Sequence, residues 1–267
     1  MSQPAANSSS AAQPVDRILP DIHLLCMDSK FSDAFEDAAA KHFPEIHSHS
    51  KITVFNCSLK YLPENVRVDG VVSPANSYAR LDGAFDDALA RAYGPRDDYG
   101  WITRKAQKVV YEKWRGFAPP GTCTVVRLDH DGKTASKDSN GHVHHLNPWA
   151  TEYLLLCPTM RVPDDVRWDR EVVYECVWSL LCAIDEHNRA VRNTSSSGDE
   201  REIKIILMTP FATGIGRVSP KKWAEQCVLA MKQYVEAVRN PQIWSSLEWS
   251  KIVEDHEEVQ ATYASQA

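Results

Sequence analysis

Short apolar runs alternate with longer amphipathic segments along most of this 267-residue chain. The runs that are typical of buried strands cover residues 22–27, 52–55, 68–73, 123–128, 153–157 and 203–208. The segments with helical spacing of apolar residues cover residues 31–42, 85–92, 101–114, 172–191 and 223–238. Strands that alternate with helices and are apolar on both faces form a parallel sheet covered on two sides. We therefore predict an α/β fold, a three-layer α/β/α sandwich with a mostly parallel central sheet.

Composition divides the chain into three parts. Residues 1–18 are mainly small and polar, which predicts a disordered N-terminal segment, and residues 19–240 form one α/β domain. Within that domain, residues 129–148 are a polar insert without periodicity, which indicates a solvent loop or a loose hairpin. Residues 241–267 predict a helical tail, which Trp244 and Trp249 dock against the body.

Charge and cysteine usage exclude several classes of function. The 30 Lys and Arg against 36 Asp and Glu give a net charge of -6, so we expect no long nucleic acid as a partner. The seven cysteines contain no CxxC pair, the motif typical of zinc sites and of redox-active cysteines. No apolar run is long enough to span a membrane. We expect a cytoplasmic or nuclear protein, or both, that does not bind membranes.

Histidines in the polar insert raise the question of a metal site. The insert carries His142, His144 and His145, but the sequence offers them no convincing set of partner ligands. Solvated side chains are the more common outcome for such residues. We predict no metal and no cofactor.

The first candidate site follows the strand at residues 68–73, in the run SPANSYARLDGAFDDA (residues 73–88). In open α/β sheets ligands bind where loops leave the carboxyl ends of the strands. Asn76 offers a donor and an acceptor to a pair of hydroxyls, Gly83 and Ala84 allow a ligand to approach the backbone, and Asp86 could orient a water or bind a ribose hydroxyl. The same run is equally typical of a capped helix start.

The second candidate site follows the strand at residues 203–208, in the run TPFATGIGRVSP (residues 209–220). Its two glycines, Gly214 and Gly216, can turn successive N–H groups inward to hold a diphosphate. The run lacks the GK[ST] of a Walker loop, and Ser219 stands where a dinucleotide-binding loop has its third glycine. Taken alone, the run also fits an ordinary strand-to-helix turn.

Together and in this order, the two runs resemble those of the macro domain family. DGVVSPAN (residues 69–76) is similar to that family's strand ending in Ala-Asn, and residues 81–94 to its glycine-containing turn, Asp and helix. PTMRVP (residues 158–163) and the run at residues 210–220 resemble one macro branch. The resemblance covers residues 50–240.

The chain departs from the family at three places. LDGA (residues 81–84) stands instead of consecutive glycines, and Asn56-Cys57 stands instead of the Gly-Asp that precedes the second core helix. Gly216 stands instead of an aromatic residue.

The resemblance implies a set of site residues. Asn76, with Ser77 beside it, would hold the distal ribose of ADP-ribose, Gly83 and Ala84 would line its far side, and Asp86 would lie beside the reactive ribose carbon. The residues implied to hold the diphosphate are Thr213, Gly214, Ile215 and Gly216. Asp86, and Asp82 as the second candidate, are the only carboxylates that the motifs bring near enough for catalysis.

Three functions are compatible with these motifs. The chain could bind ADP-ribose, free or attached to a protein. It could act on the same pocket as a hydrolase, either an ADP-ribose 1''-phosphate phosphatase or a mono-ADP-ribosyl hydrolase. It could also be a macro-like scaffold whose pocket has decayed, acting through protein–protein contacts. The departures at residues 81–84 and at Asn56-Cys57 favour the scaffold, whereas Asn76, Asp86 and the TGIG run favour a functional pocket.

Overall fold

The computed structural model describes residues 17–128, 136–137, 143–144, 147–193 and 200–265. The strands are β1 (Asp21–Leu25), β2 (Ile52–Phe55), β3 (Gly70–Ser73), β4 (Thr124–Arg127), β5 (Ser136–Lys137), β6 (Val143–His144), β7 (Tyr153–Leu156) and β8 (Ile205–Met208). The helices are α1 (Ser29–His42), α2 (Ile46–His49), α3 (Ala84–Tyr93), α4 (Trp101–Trp114), α5 (Val172–Asn193), α6 (Pro220–Arg239), α7 (Pro241–Trp244) and α8 (Trp249–Gln260). A single 3-10 turn covers Leu59–Tyr61.

A six-stranded sheet organises these elements in the order β2-β1-β8-β3-β7-β4. Neighbouring strands are parallel except β4, which runs antiparallel to β7 at one edge. The mostly parallel sheet predicted from the sequence is therefore confirmed. The order also brings the carboxyl ends of β1, β8, β3 and β7 side by side, although these strands are far apart in the sequence.

Two apolar cores lie on opposite faces of the sheet. Val71 packs into one core with residues of α3 and α4, and its neighbour Val72 packs into the other with residues of α1, α5 and α6. Successive side chains of a strand point to opposite faces, so a strand that is apolar throughout contributes to both cores. This arrangement is the three-layer α/β/α sandwich.

Local side-chain hydrogen bonds set several element boundaries. Asp28 caps α1 by accepting a hydrogen bond from the Lys30 N–H at 3.0 Å, and Ser219 caps α6 by accepting one from the Lys222 N–H at 3.1 Å. The carboxylate of Asp69 accepts from the N–H of Lys204 at 2.7 Å, immediately before β8. The same carboxylate accepts from the N–H of Ile205 at 2.8 Å, so Asp69 holds the start of β8. The helix α2 and the 3-10 turn were not predicted, because each is too short to show a period.

The C-terminal helices α7 and α8 pack against α6. Trp244 of α7 stacks on Trp178 of α5 with ring centroids 5.5 Å apart, as expected for a residue that docks the tail. Trp249 is 77% exposed, so the docking role predicted for it is wrong. The side chain of Gln226 instead reaches the tail through a hydrogen bond to the Thr262 hydroxyl at 3.0 Å.

Some sequence predictions fall on residues outside the described ranges. These are residues 1–16 of the N-terminal segment and most of the insert, including His142 and His145. Within the insert, β5 and β6 pair antiparallel, as in the hairpin alternative. Among the described residues, none of the helices is both apolar enough and long enough to cross a bilayer.

Candidate functional site

A cavity opens at the carboxyl ends of the central strands, between the loops that follow β1, β3, β7 and β8. We name two of these loops by their residues: the β3 loop (residues 74–86) and the β8 loop (residues 209–219). All the predicted site residues except Ser77 line this cavity, namely Asn76, Asp82, Gly83, Ala84, Asp86, Thr213, Gly214, Ile215 and Gly216. Two runs that are about 130 residues apart in the sequence thus form one site.

Ser77 lies behind the cavity wall. Its side chain is fully buried. Its backbone N–H and its hydroxyl both donate to the carbonyl of Met160, at 2.9 and 3.2 Å, and its own carbonyl accepts from Ala118 at 2.9 Å. Ser77 therefore joins the β3 loop to the segment after β7, with its polar groups directed away from the cavity.

Asp86 is the buried carboxyl group of the site. It lies in the first turn of α3, is 8% exposed, and accepts a hydrogen bond from the Ser73 hydroxyl at 2.6 Å. Burial raises the pKa of Asp86 to about 7, the Ser73 hydrogen bond opposes this shift, and repulsion from Asp82 adds to it. A carboxyl group with such a pKa exchanges a proton near neutral pH, as a general base requires.

Asp82 has a different environment. Its carboxylate accepts a hydrogen bond from the Arg80 guanidinium at 2.6 Å, and its side chain is 40% exposed. Both side chains line the cavity mouth. The structure therefore separates the two candidate carboxylates into a buried group and a solvent-exposed group that is paired with Arg80.

Asn76 organises the loop that carries it. Its side-chain oxygen accepts from the N–H groups of Tyr78 and Arg80, at 3.1 and 3.2 Å, and its side-chain nitrogen donates to the Arg80 carbonyl at 2.7 Å. These bonds close the loop at residues 76–80. They leave one N–H of the Asn76 amide for a ligand.

The β8 loop presents backbone N–H groups that have no protein acceptor. Across the described residues, Thr213, Gly214, Ile215 and Gly216 donate no hydrogen bond from the backbone. Buried backbone N–H groups are almost always paired, and unpaired ones that line a cavity are available to a ligand or to water. Successive free N–H groups in a turn form a concave anion site that needs no Lys or Arg.

The two glycines of the β8 loop have different roles. A Cβ added at Gly214 would meet nothing within 4 Å, so this position faces open space. A Cβ added at Gly216 would lie 2.5 Å from the Ala212 carbonyl oxygen and 2.9 Å from Val166. Gly216 is therefore required by the packing of the loop, whereas Gly214 keeps the cavity open.

Both loops hold alanines in the left-handed region. Ala79 and Ala84 have φ values of 52° and 49° in the β3 loop, and Ala212 has a φ of 56° in the β8 loop. This region is unfavourable for residues with a Cβ, and strained residues cluster at functional sites. The glycines that the macro family has near residues 81–84 would adopt this conformation without strain.

Several site residues escaped the sequence analysis. Ser73, the partner of Asp86, is the last residue of β3 and reads as part of an apolar run. Thr159 and Met160 line the cavity from the segment after β7, and the buried Thr159 hydroxyl has no hydrogen-bond partner among the described residues. The PTM run at residues 158–160 was the available signal. Met27, after β1, lines the cavity and is 80% exposed. No motif around Met27 indicated this role.

Asn56 and Cys57 stand where the sequence resemblance expects a Gly-Asp pair. The Asn56 side-chain oxygen accepts a hydrogen bond from the Ser32 hydroxyl at 3.2 Å, which ties the end of β2 to α1. Neither Asn56 nor Cys57 lines the cavity.

No family model and no curated protein matches the sequence. The chain is similar to solved structures of a macrodomain from Oceanobacillus iheyensis. A mutant with ADPR is 14% identical, with a TM-score of 0.41, 64% of this chain covered and 72% of that chain. The macrodomain with ADP is 15% identical, with a TM-score of 0.40 and coverage of 62% and 68%. The macrodomain with MES bound is 13% identical, with a TM-score of 0.40 and coverage of 74% and 85%. These solved structures come from macrodomains, the family whose motifs the β3 and β8 loops resemble.

Proposed function

We propose that the cavity binds ADP-ribose, free or attached to a protein, or its phosphorylated derivative, and that it hydrolyses such a ligand. The observation that carries this proposal is the run of four unpaired backbone N–H groups at residues 213–216, which lines the same cavity as the buried carboxyl group of Asp86. The first feature suits an anion, and the second suits the transfer of a proton.

The β8 loop supplies the diphosphate site in this proposal. Amide groups at Thr213, Gly214, Ile215 and Gly216 would donate to phosphate oxygens, which explains how a chain with a net charge of -6 could bind an anion. Open space at Gly214 allows the phosphates to approach the backbone. At the other end, the remaining N–H of Asn76 and the backbone at Gly83 and Ala84 would contact the distal ribose.

Hydrolysis would use Asp86 as the general base. Its carboxylate would take a proton from a water whose oxygen bonds to the anomeric carbon or to phosphorus, while the bond to the leaving group breaks. The hydrogen bond from Ser73 holds one carboxylate oxygen and leaves the other for the water. A pKa of about 7 leaves a substantial ionised fraction at neutral pH. The scaffold alternative is less well supported, because the cavity, the free N–H groups and the buried carboxyl group occur together.

Isothermal titration with ADP-ribose tests binding. We expect a micromolar Kd for the wild type and a loss of affinity of about 100-fold or more in Gly214→Glu, because the new carboxylate would occupy the anion site. Gly214→Ala is the matched control, since a methyl group meets nothing within 4 Å. Equal affinities in the wild type and Gly214→Glu would contradict the phosphate site, and no heat with any protein would favour the scaffold.

Product release tests hydrolysis. ADP-ribose 1''-phosphate and a mono-ADP-ribosylated protein serve as the two substrates, and release of phosphate or of ADP-ribose identifies the bond that is cleaved. We expect Asp86→Asn to lower kcat by 100-fold or more with little change in affinity for ADP-ribose. Asp87→Asn is the control, because Asp87 adjoins Asp86 in the sequence but does not line the cavity. A wild type that binds ADP-ribose and releases neither product is a binding module.

A further inference from the structure

The β8 loop ends at a residue that the C-terminal tail holds. The hydroxyl of Ser219 caps α6 and also donates a hydrogen bond to the carbonyl of Ser265. The hydroxyl of Ser265 donates in turn to the carboxylate of Glu225 in α6 at 2.8 Å. We call residues 262–265 the tail end. The base of the proposed anion site is therefore tied both to α6 and to the tail end.

A second segment supports the β8 loop on another side. We call residues 166–171, which precede α5, the wall segment. The Val166 N–H donates to the Gly216 carbonyl at 3.1 Å, and a Cβ added at Gly216 would lie only 2.9 Å from the Val166 side chain. Contacts this close transmit a displacement of either partner to the other. The shape of the anion site therefore depends on where the wall segment lies.

Tyr263 joins the tail end to the wall segment. Its hydroxyl donates to the carboxylate of Glu171, and the Arg170 guanidinium lies over its ring, 5.5 Å from the centroid. From α6, the side-chain amide of Gln226 donates to the Arg170 carbonyl at 2.5 Å and to the Thr262 hydroxyl at 3.0 Å. One set of polar contacts thus connects the tail end, the wall segment and α6.

Lys222 adds a buried charge to the same contacts. Its side chain is 1% exposed, and its ammonium donates to the Asp169 carbonyl of the wall segment at 3.1 Å. Burial lowers the pKa of Lys222, and the carboxylates of Asp169 and Glu171 oppose this shift. A buried ammonium is costly unless its few polar partners stay in place. The start of α6 and the wall segment are therefore held in a fixed relation.

We propose that Tyr263 is a positioning residue of the anion site, through which the tail end holds the β8 loop in the conformation that binds a diphosphate. This proposal rests on the function proposed above. Tyr263 does not line the cavity, so it acts through the wall segment and the base of the loop. The backbone N–H groups of residues 213–216 have no acceptor among the described residues, so contacts outside the loop must fix their direction.

The proposal has a reciprocal consequence. If loss of the Tyr263 contacts leaves the loop in its binding conformation for about one tenth of the time, the apparent Kd for ADP-ribose rises about 10-fold. Because coupling between two equilibria is mutual, ADP-ribose must then oppose opening of the tail end by the same factor of about 10. A tail end that only stabilised the fold would show neither effect.

Isothermal titration of the full chain with ADP-ribose tests the first effect. We expect Tyr263→Ala to bind about 10-fold more weakly than wild type. Tyr263→Phe keeps the ring beneath Arg170 and loses only the bond to Glu171, so its affinity should fall about 2- to 3-fold. The matched control is Trp249→Ala, an aromatic residue of the same tail that is 77% exposed, and it should bind like wild type. Equal affinities of Tyr263→Ala and wild type would overturn the proposal.

Amide hydrogen exchange followed by NMR gives a readout that needs no ligand. Two bonds of 3.1 Å close the β8 loop, from the Arg217 N–H to the Gly214 carbonyl and from the Val218 N–H to the Ala212 carbonyl. We expect these two amides to exchange about 10-fold faster in Tyr263→Ala than in wild type, with the amides of β4 reporting any change in global stability.

The two methods together separate this proposal from the proposed function. Faster exchange at Arg217 and Val218 in a protein that does not bind ADP-ribose would contradict the function and support the positioning of the loop by Tyr263. Unchanged exchange at these amides would overturn the positioning role, even if wild type binds ADP-ribose. In a wild type that binds, saturating ADP-ribose should slow exchange at the Thr262 and Tyr263 amides, which bond to carbonyls at the end of α8.

Discussion

The β3 loop and the β8 loop both line the cavity, but they differ in where their polar groups find partners. In the β3 loop, Asn76 bonds to the neighbouring backbone, Asp82 pairs with Arg80, and Asp86 accepts from Ser73. In the β8 loop, four successive backbone N–H groups have no acceptor among the described residues. The first loop is thus organised before a ligand arrives, whereas the second presents groups that a ligand can satisfy.

This difference implies that substitutions in the two loops should have different effects. Changes in the β3 loop should alter both stability and the binding or hydrolysis of the ligand, because its polar side chains serve the fold as well as the site. Changes at the open positions of the β8 loop should alter binding alone. Four predictions test this division, from the largest expected effect on the free energy of unfolding to the smallest.

Asp86→Asn is expected to change the pH dependence of stability. The pKa of Asp86 is about 7 in the folded protein, above its ordinary value of 3.8. Between these values the folded protein binds more protons than the unfolded chain, so this group lowers stability as the pH rises. The free energy of unfolding of the variant, relative to wild type, should therefore increase by about 2–3 kcal/mol from pH 5 to pH 8. Urea unfolding at the two pH values measures this.

The adjacent Asp87 provides a control, because its pKa is shifted in the opposite direction to that of Asp86. Its carboxylate accepts hydrogen bonds from Arg91, which lower the pKa of Asp87 below its ordinary value. A lowered pKa contributes stability that is present at neutral pH and is lost as the pH falls through the folded pKa. Asp87→Asn should therefore show no increase in relative stability between pH 5 and pH 8. Parallel curves for Asp86→Asn and wild type would contradict the buried state of Asp86.

Gly216→Ala tests whether the β8 loop has a position that the fold requires. The added methyl group would collide with the Ala212 carbonyl oxygen at 2.5 Å, so the loop must shift. We expect a loss of about 1–3 kcal/mol in the free energy of unfolding, the usual range for overpacking. Gly214→Ala in the same loop should stay within about 0.5 kcal/mol of wild type. Equal values for the two variants would refute the different roles assigned to these glycines.

Asn76→Ala removes the hydrogen bonds that close the β3 loop. Its side chain makes three of them, with Tyr78 and Arg80. Because the residue is only partly buried and water can replace some of these bonds, we expect a loss of about 1–2 kcal/mol in unfolding free energy. Affinity for ADP-ribose should fall together with stability. A loss of affinity without any loss of stability would show that Asn76 contacts the ligand and does not organise the loop.

The strands, the helices and the two site loops could be predicted because each is marked by a local pattern in the sequence. Apolar runs such as residues 203–208 and the helical spacing in residues 172–191 are visible without knowledge of the fold. Polar residues at strand ends then located Asn76, Asp86 and the TGIG run, since ligands bind at the carboxyl ends of parallel strands. The strand order, which brings β8 beside β3, depends on long-range packing and was not predicted.

The remaining site features arise from contacts between distant or unexpected residues. Ser73 reads as a strand residue, and its bond to Asp86 depends on how α3 packs over the end of β3. Gly214 and Gly216 look equivalent in the sequence, and only the position of the Ala212 carbonyl separates them. Ser77 stands next to Asn76, yet its polar groups bond to Met160, a residue of the segment after β7 that is distant in the sequence.

Ala84→Gly should have the smallest effect, and it should increase stability. Ala84 has a φ of 49° and is exposed, so glycine would relieve backbone strain without loss of packing. The greater freedom of glycine in the unfolded chain offsets part of this gain, which leaves about 0.5–1 kcal/mol in unfolding free energy.

Ala212→Gly makes the same change in the β8 loop, where φ is 56° but the methyl group is buried. Loss of that burial, up to about 0.8 kcal/mol, should cancel the relief of strain and leave stability nearly unchanged. Urea unfolding of both variants measures the difference. If Ala84→Gly destabilises the protein, the left-handed conformation of Ala84 is held by favourable contacts and is not a strained feature of the site.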